Sequence, residues 1–135
     1  MNKELFMKLL NRWFVEMVIE PKDCHVSHGG AMLMHGLRES TQDIDLTVNK
    51  RVWDKFVELG FEVKVLPDCG LVKGISLISV TENIDIHLSD VDYSGKLLLE
   101  NNIYFRDLNT TLNDKILLGR KKDEKDIILL KSLLG

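Results

Sequence analysis

Two short runs, Asp43-Ile44-Asp45-Leu46-Thr47-Val48 and Asn83-Ile84-Asp85-Ile86-His87-Leu88, alternate polar and apolar side chains without interruption. A strand sends successive side chains to opposite faces. Ile44, Leu46 and Val48 therefore share one face with Asp43 and Asp45 on the other, and Asp85 and His87 likewise oppose Ile84, Ile86 and Leu88. A chain carrying both runs is constrained to a sheet with one buried face and one acid-bearing face. If the two strands pair, three carboxylates meet on one surface. Two like charges about 4 Å apart repel by about 4 kcal/mol at an effective dielectric of 20, a large share of a small domain's stability. Hard oxygen ligands on a rigid sheet suit Mg²⁺, or Mn²⁺, which takes one or two protein carboxylates and completes its shell with water and phosphate oxygens. The third carboxylate is then available to a second metal or to a proton leaving an attacking hydroxyl.

The rest of the pattern is mixed α/β. Leu5, Phe6, Leu9, Leu10, Trp13, Phe14, Met17 and Val18 recur every three or four residues, which predicts an amphipathic helix ending near Pro21. A short strand is expected over 24–27, a helix opened by Gly29-Gly30 through about Leu37, a strand over 43–48, and a helix over 50–59 stopped by Gly60. Strands over 61–66, 71–79 and 83–88 follow, then a short run at 103–105 and closing helices near 111–118 and 123–134. The expected order is α-β-α-β-α-β-β-β-β-α-α, a mixed central sheet flanked by helices, with residues 1–135 as a single α/β (α+β) domain. At 135 residues and 44% hydrophobic content, the chain is large enough to bury a core.

Charge excludes a global attraction to polyanions. Twenty-one acidic residues against 18 basic ones leave a net charge of -3, so any phosphate recognition is local. Lys8, Arg12 and Glu16 interrupt the apolar N-terminal segment, which argues against a signal peptide or membrane span and for a cytoplasmic protein. Cys24 and Cys69 have no metal-ribbon spacing and read as core thiols of a reducing compartment. Zinc binding by Cys24, His25 and His28 is disfavoured, since a strand sends His25 and His28 to opposite faces.

Phosphate-binding candidates flank the acidic runs. Gly29 and Gly30 lack Cβ atoms, so a phosphate can approach their N–H groups. Arg38, Ser40 and Thr41 fall between helix and strand, with Ser40 reading more as ordinary loop polarity. Toward the C-terminus, the charged run 112–126 reads either as a solvated, salt-bridged helix face or as one that turns Lys115 and Arg120 toward the carboxylates to hold triphosphate oxygens, with Asp123 or Asp126 orienting Arg120. His35 reads as a helix-packing residue, and His87 as a hydrogen-bonded strand histidine that shares the Asp85 face. There is no GxxxxGK[ST] loop and no GxGxxG fingerprint.

Three blocks together, HGGAMLMHGLRESTQDIDL, NIDIHL and DKILLGRKKDEKDIILL, resemble the nucleotidyltransferase fold of the polymerase-beta-like superfamily. The likeness is to its small abortive-infection-type, minimal members and to the kanamycin-type enzymes. It implies that Asp43 and Asp45 bind Mg²⁺, that Asp85 completes the carboxylate triad, and that Gly29, Gly30, Arg38, Thr41, Lys115 and Arg120 contact a nucleoside triphosphate. The reaction implied is transfer of a nucleoside monophosphate to an acceptor hydroxyl on protein, RNA or a small molecule, in a toxin–antitoxin or phage-defence setting. Gly30 stands where many active members carry serine. Many members bind their acceptor with a large extra C-terminal domain, so here a partner protein or a second copy is expected to contribute.

Two rival readings come from the same residues. DIDLTV also fits the DxDx[TV] nucleophile motif of haloacid-dehalogenase-type phosphatases, but that motif should end a hydrophobic strand, and Glu39-Ser40-Thr41-Gln42 reads as a loop. The other rival is a catalytically weak or inactive nucleotidyltransferase fold, an antitoxin-like or regulatory binding module. Retention of all three aspartates favours catalysis, because a pure binding module is free to relieve their repulsion by substitution.

Overall fold

The computed structural model describes residues 1–88 and 95–135. Helix α1 (Lys3–Met17) is capped by the Asn2 side chain, which accepts from the Leu5 N–H, and it ends where Val18 turns left-handed. A single 3₁₀ turn (Pro21–Asp23) leads into β1 (Cys24–Ser27), α2 (His28–Met34), β2 (Ile44–Val48) and α3 (Lys50–Glu58). Then come β3 (Lys64–Val65), β4 (Ser76–Ser79), β5 (Ile84–Leu88), β6 (Leu97–Glu100) and β7 (Ile103–Arg106). Helix α4 (Leu108–Leu118), a second 3₁₀ turn (Lys121–Asp123) and α5 (Glu124–Leu134) close the chain.

The strands form one mixed sheet in the order β3-β4-β5-β2-β1-β7-β6, with β2/β5 and β1/β7 parallel and the other pairs antiparallel. Its apolar face carries Val26, Ile44, Leu46, Ile78, Ile86 and Phe105, which form one core with Phe6, Leu10, Trp13 and Phe14 of α1 and Val52, Trp53 and Phe56 of α3. Trp13 stacks on Phe56 with centroids 5.8 Å apart. Full burial of such side chains contributes about 1.5–3 kcal/mol each, so the α1/α3 side of the sheet anchors the fold. The opposite face bears the alternate residues His25, Ser27, Asp45, Thr47, Asp85 and His87. Helix α4 lies over it, joined where Arg106 of β7 donates to Asp114 at 2.5 Å.

Several expected boundaries differ. Strand β2 begins at Ile44, leaving Asp43 just ahead of it in an exposed position. The strands expected over 61–66 and 71–79 shrink to two and four residues. Gly70 and Gly74 between them take positive φ (58° and 66°), and the Leu71 N–H donates to the Leu117 carbonyl of α4 instead of to a strand. Strand β6 was not expected. It is folded onto β7 by Asn101 and Asn102, both at positive φ (49° and 63°), which matches the right-handed twist of a two-residue hairpin. Helix α2 stops at Met34 rather than near Leu37, and α4 starts at Leu108, because Asp107 accepts from the Thr110 N–H as its cap. His35 lies beyond α2, where it donates to the Arg106 carbonyl at 2.8 Å.

Cys24 is buried, and burial aided by Asp23 pushes its thiol up to about 12. Cys69, expected in the core, is instead half-buried on the β3–β4 loop, its Sγ–H donating to the Leu118 carbonyl at 3.3 Å.

Candidate active site

Register brings two of the predicted carboxylates together. In the parallel β2/β5 pair, Asp45 aligns with Asp85 and Thr47 with His87; across β2, Ser27 of β1 aligns with Asp45 and His25 with Thr47. Neighbouring strands lie about 4.8 Å apart, so Ser27, Asp45, Asp85 and Ser79 form one row across the sheet and His25, Thr47, His87 and Leu77 the next. The His87 Nε2–H reaches back to Asp45 Oδ1 at 3.3 Å. Burial opposes the charged form of Asp45, but the His87 hydrogen bond together with the fields of His28, His87 and Arg120 outweighs it and holds the carboxyl below its ordinary range.

A cavity of about 540 Å³ opens between the 38–43 loop, β2 and the start of the C-terminal helical pair. Gly29, Arg38, Thr41, Asp43, Asp45, Lys115 and Arg120 all line it, whereas Gly30 and Asp85 do not. Gly30 is buried, and a Cβ there would stand 2.6 Å from Val26 Cγ1 and 3.0 Å from the Phe6 ring, so its smallness serves core packing. Gly29 faces the cavity with the Arg38 guanidinium over it, Nη1 lying 2.6 Å from where a Cβ would be. Asp85 belongs to the same sheet row as Asp45 but lies one strand further out.

The cationic wall is a bridged network. Lys115, with its side chain 3% exposed, contacts Asp123 at 3.2 Å and Asp126 at 3.1 Å. Arg120 holds the other Asp123 oxygen at 2.6 Å, and Arg38 holds Asp126 at 3.0 Å. Asp123 thus orients Arg120, as expected, while Asp126 couples to Arg38. Burial opposes ionisation of Asp123, but Arg120 and Lys115 outweigh it and keep its carboxyl below the usual range. Three cations share two carboxylates, and Lys122, which the sequence reading did not nominate, adds a further positive charge to the cavity. This excess faces Asp43 and Asp45.

His28 was missed as a cavity residue. It takes φ 57°, uncommon for a residue with a side chain, and its ring lies 6.1 Å from that of His87. Burial lowers its pKa despite the nearby carboxylates Asp45 and Asp114. Nothing in the local sequence distinguishes this backbone state. His25 is likewise lowered, to about 3, by burial and then by Arg106, whose Nε–H donates to its Nε2 at 3.0 Å.

Asp43 and Asp45 fit a divalent cation. Both line the cavity, Asp45 is held as a carboxylate, and Mg²⁺ commonly takes only one or two protein carboxylates. Among the described residues no three His, Cys, Asp or Glu side chains are arranged to hold an ion, so water and phosphate oxygens would fill the remaining positions. Asp43 stands just ahead of β2 rather than ending a hydrophobic strand, unlike the dehalogenase-type nucleophile.

No family model and no curated protein matches the chain. Among solved structures, ANT(2″)-Ia in complex with adenylyl-2″-tobramycin superposes over 97% of this chain and 90% of that one, with a TM-score of 0.60 and 15% sequence identity. The chain has a nucleotidyltransferase fold. Within that fold, the face bearing Asp45 and Asp85 is the one covered by α4 and opened by the 540 Å³ cavity. Among the described residues no helix is long and apolar enough to cross a membrane.

Proposed function

We propose that this nucleotidyltransferase fold is an enzyme that transfers a nucleoside monophosphate from a nucleoside triphosphate to an acceptor hydroxyl. The observation that carries the reading is the facing of Asp43 and Asp45 against Arg38, Lys115, Arg120 and Lys122 across one cavity. Its volume of about 540 Å³ falls within the roughly 300–1,000 Å³ of small-molecule sites.

Each residue has a role in that chemistry. Asp43 and Asp45 would hold Mg²⁺ or Mn²⁺, which supplies positive charge against the phosphates as the bond to the leaving group lengthens. Arg38, Arg120 and Lys122 grip the β- and γ-phosphate oxygens, the two guanidinium groups by forked hydrogen bonds. Lys115 holds Asp123 and Asp126 in place and adds its field. The acceptor oxygen bonds to the α-phosphorus, and the bond from that phosphorus to the bridging oxygen breaks. Pyrophosphate leaves with the electron pair, and the acceptor's proton passes to water.

The grouping with the small abortive-infection-type members rests on Lys115, Arg120, Asp123 and Asp126, which form one ion network at the cavity. A toxin–antitoxin or phage-defence role, with the acceptor on a partner protein or RNA or the site shared with a second copy, follows from that grouping.

Melting in the presence of Mg²⁺ and each of the four common triphosphates tests the reading. A ligand at one hundred times its Kd stabilises by about 2.7 kcal/mol, a readily measured rise in Tm. Asp43→Ala with Asp45→Ala should abolish the shift, and α-labelled triphosphate should leave label on an acceptor. Unchanged melting with every triphosphate and metal would refute the proposal.

A further inference from the structure

A second cavity, of about 270 Å³, continues from the first. The two share His28, Ile75, His87 and Leu118. The second extends further along β2, where Thr47 stands two residues past Asp45, or about 6.6 Å of strand. The cavities adjoin at these four residues, while Asp45, Arg38, Arg120 and Lys122 line the first alone and Thr47 the second alone.

Among the described residues the charge of the second cavity is balanced. Its ionic groups there are Arg106 and Asp114, joined at 2.5 Å, and the Arg106 Nε–H and Nη2–H reach His25 Nε2 at 3.0 Å and Thr47 Oγ1 at 3.1 Å. Arg106 is 14% and Asp114 18% exposed at the side chain, so neither ion is at liberty to greet a charged ligand without breaking this network. Val72, Leu88 and Leu117 supply apolar wall. A polycation would meet one carboxylate already neutralised, and a polyanion one guanidinium already engaged.

In-line displacement places the attacking oxygen and the leaving pyrophosphate on opposite sides of the α-phosphorus. With the leaving phosphates against Arg38 and Arg120, which line the first cavity alone, the side left for the attacker is the one where His28 and His87 join the second cavity. The first cavity has Leu66 and Ile75 for a base, which leaves the second for the other substrate.

We propose that the second cavity binds the acceptor and selects an uncharged alcohol with an apolar body over a polycationic one. This assignment rests on the nucleotidyl-transfer reading. Paired ions orient the hydroxyl and exclude charge, and the aliphatic walls take the body by apolar burial.

Amide NMR spectra test it, with 2-phenylethanol as the uncharged probe and kanamycin as the polycation. 2-Phenylethanol should shift Thr47, Leu88 and Leu117 saturably, and kanamycin should not. Val72→Trp and Leu117→Trp, which fill the cavity from two different elements, should each weaken the alcohol's binding at least tenfold while the Mg²⁺–ATP rise in Tm persists. An absent alcohol shift alongside a normal Mg²⁺–ATP response overturns the cavity assignment alone, as does a kanamycin shift or an ATP shift at these three amides. No Mg²⁺–ATP response in the wild type overturns the transfer reading and the acceptor role with it.

Discussion

Lys115→Met isolates the ion network that forms the cationic wall. Lys115 is sequestered, its side chain 3% exposed and bracketed by Asp123 and Asp126 at 3.2 and 3.1 Å. Methionine keeps the length and apolar stem of lysine but leaves two carboxylates facing the same pocket, with the Asp123 side chain 5% exposed. Removing one partner of a buried pair typically costs about 3–5 kcal/mol. Here the low end applies, about 3 kcal/mol, because Arg120 still holds Asp123 and Arg38 still holds Asp126. That is on the order of 10 °C in Tm for a chain of this size. Urea unfolding at pH 7 measures the loss, and Asp123→Asn should cost less in the Lys115→Met background than in the wild type, because the Lys115–Asp123 contact is already gone. Asp123 has its pKa depressed in the fold, so its ionised form stabilises above the unfolded value near 4 and that contribution disappears as pH falls through the folded value. The gap between wild type and Lys115→Met should therefore narrow below about pH 4. A loss under about 1 kcal/mol at pH 7 would refute the reasoning, showing that Lys115 is an open phosphate ligand and not a buried tie.

His25 should make the fold acid-sensitive. With its pKa lowered from 6.5 to about 3, stability is full above 6.5 and falls by roughly 1.4 kcal/mol per pH unit as the unfolded imidazole takes up a proton that the folded one refuses. Between pH 7 and 4.5 this one group removes about 2.5 kcal/mol, and His25→Asn should flatten the unfolding free energy against pH by that amount. The glycine pair should separate packing from binding. Gly30→Ala drives a methyl into Val26 and Phe6 and should cost about 1–3 kcal/mol in urea unfolding. Gly29→Ala meets the far end of the Arg38 side chain, with Thr41 Oγ1 at ordinary contact distance, so it should cost less stability than Gly30→Ala while reducing the nucleotide-dependent rise in Tm.

The acidic runs were legible because strand periodicity is local. Once residues 44–48 and 84–88 are strands, Asp45, Asp85 and His87 must share a face, and the parallel register then aligns Asp45 with Asp85. The helix end signalled by Gly60 was legible for the same reason, since a C-terminal stop acts within one turn: α3 ends at Glu58 and Gly60 takes positive φ. Strand β6 was not, because Leu97-Leu98-Leu99 has no alternation and is extended only by its pairing with β7. Residues 71–75 were expected in a strand because Leu71, Val72 and Ile75 carry β propensity, whereas Cys69 and Val72 bond each other and the Leu71 N–H donates to Leu117 of α4.

What the sequence determined by itself was the alternation, caps and composition that commit this chain to a mixed sheet with one acidic face. Only the tertiary structure decided that Asp43 and Asp45 line a cavity from which Asp85 is set apart, that Gly30 belongs to the core, and that His28 turns left-handed at the junction of two cavities. The physical reason is range. Periodicity and capping act over a few residues, whereas the Arg38–Asp126 and Arg106–Thr47 contacts join positions 88 and 59 residues apart, and they form only when packing has closed the chain around them.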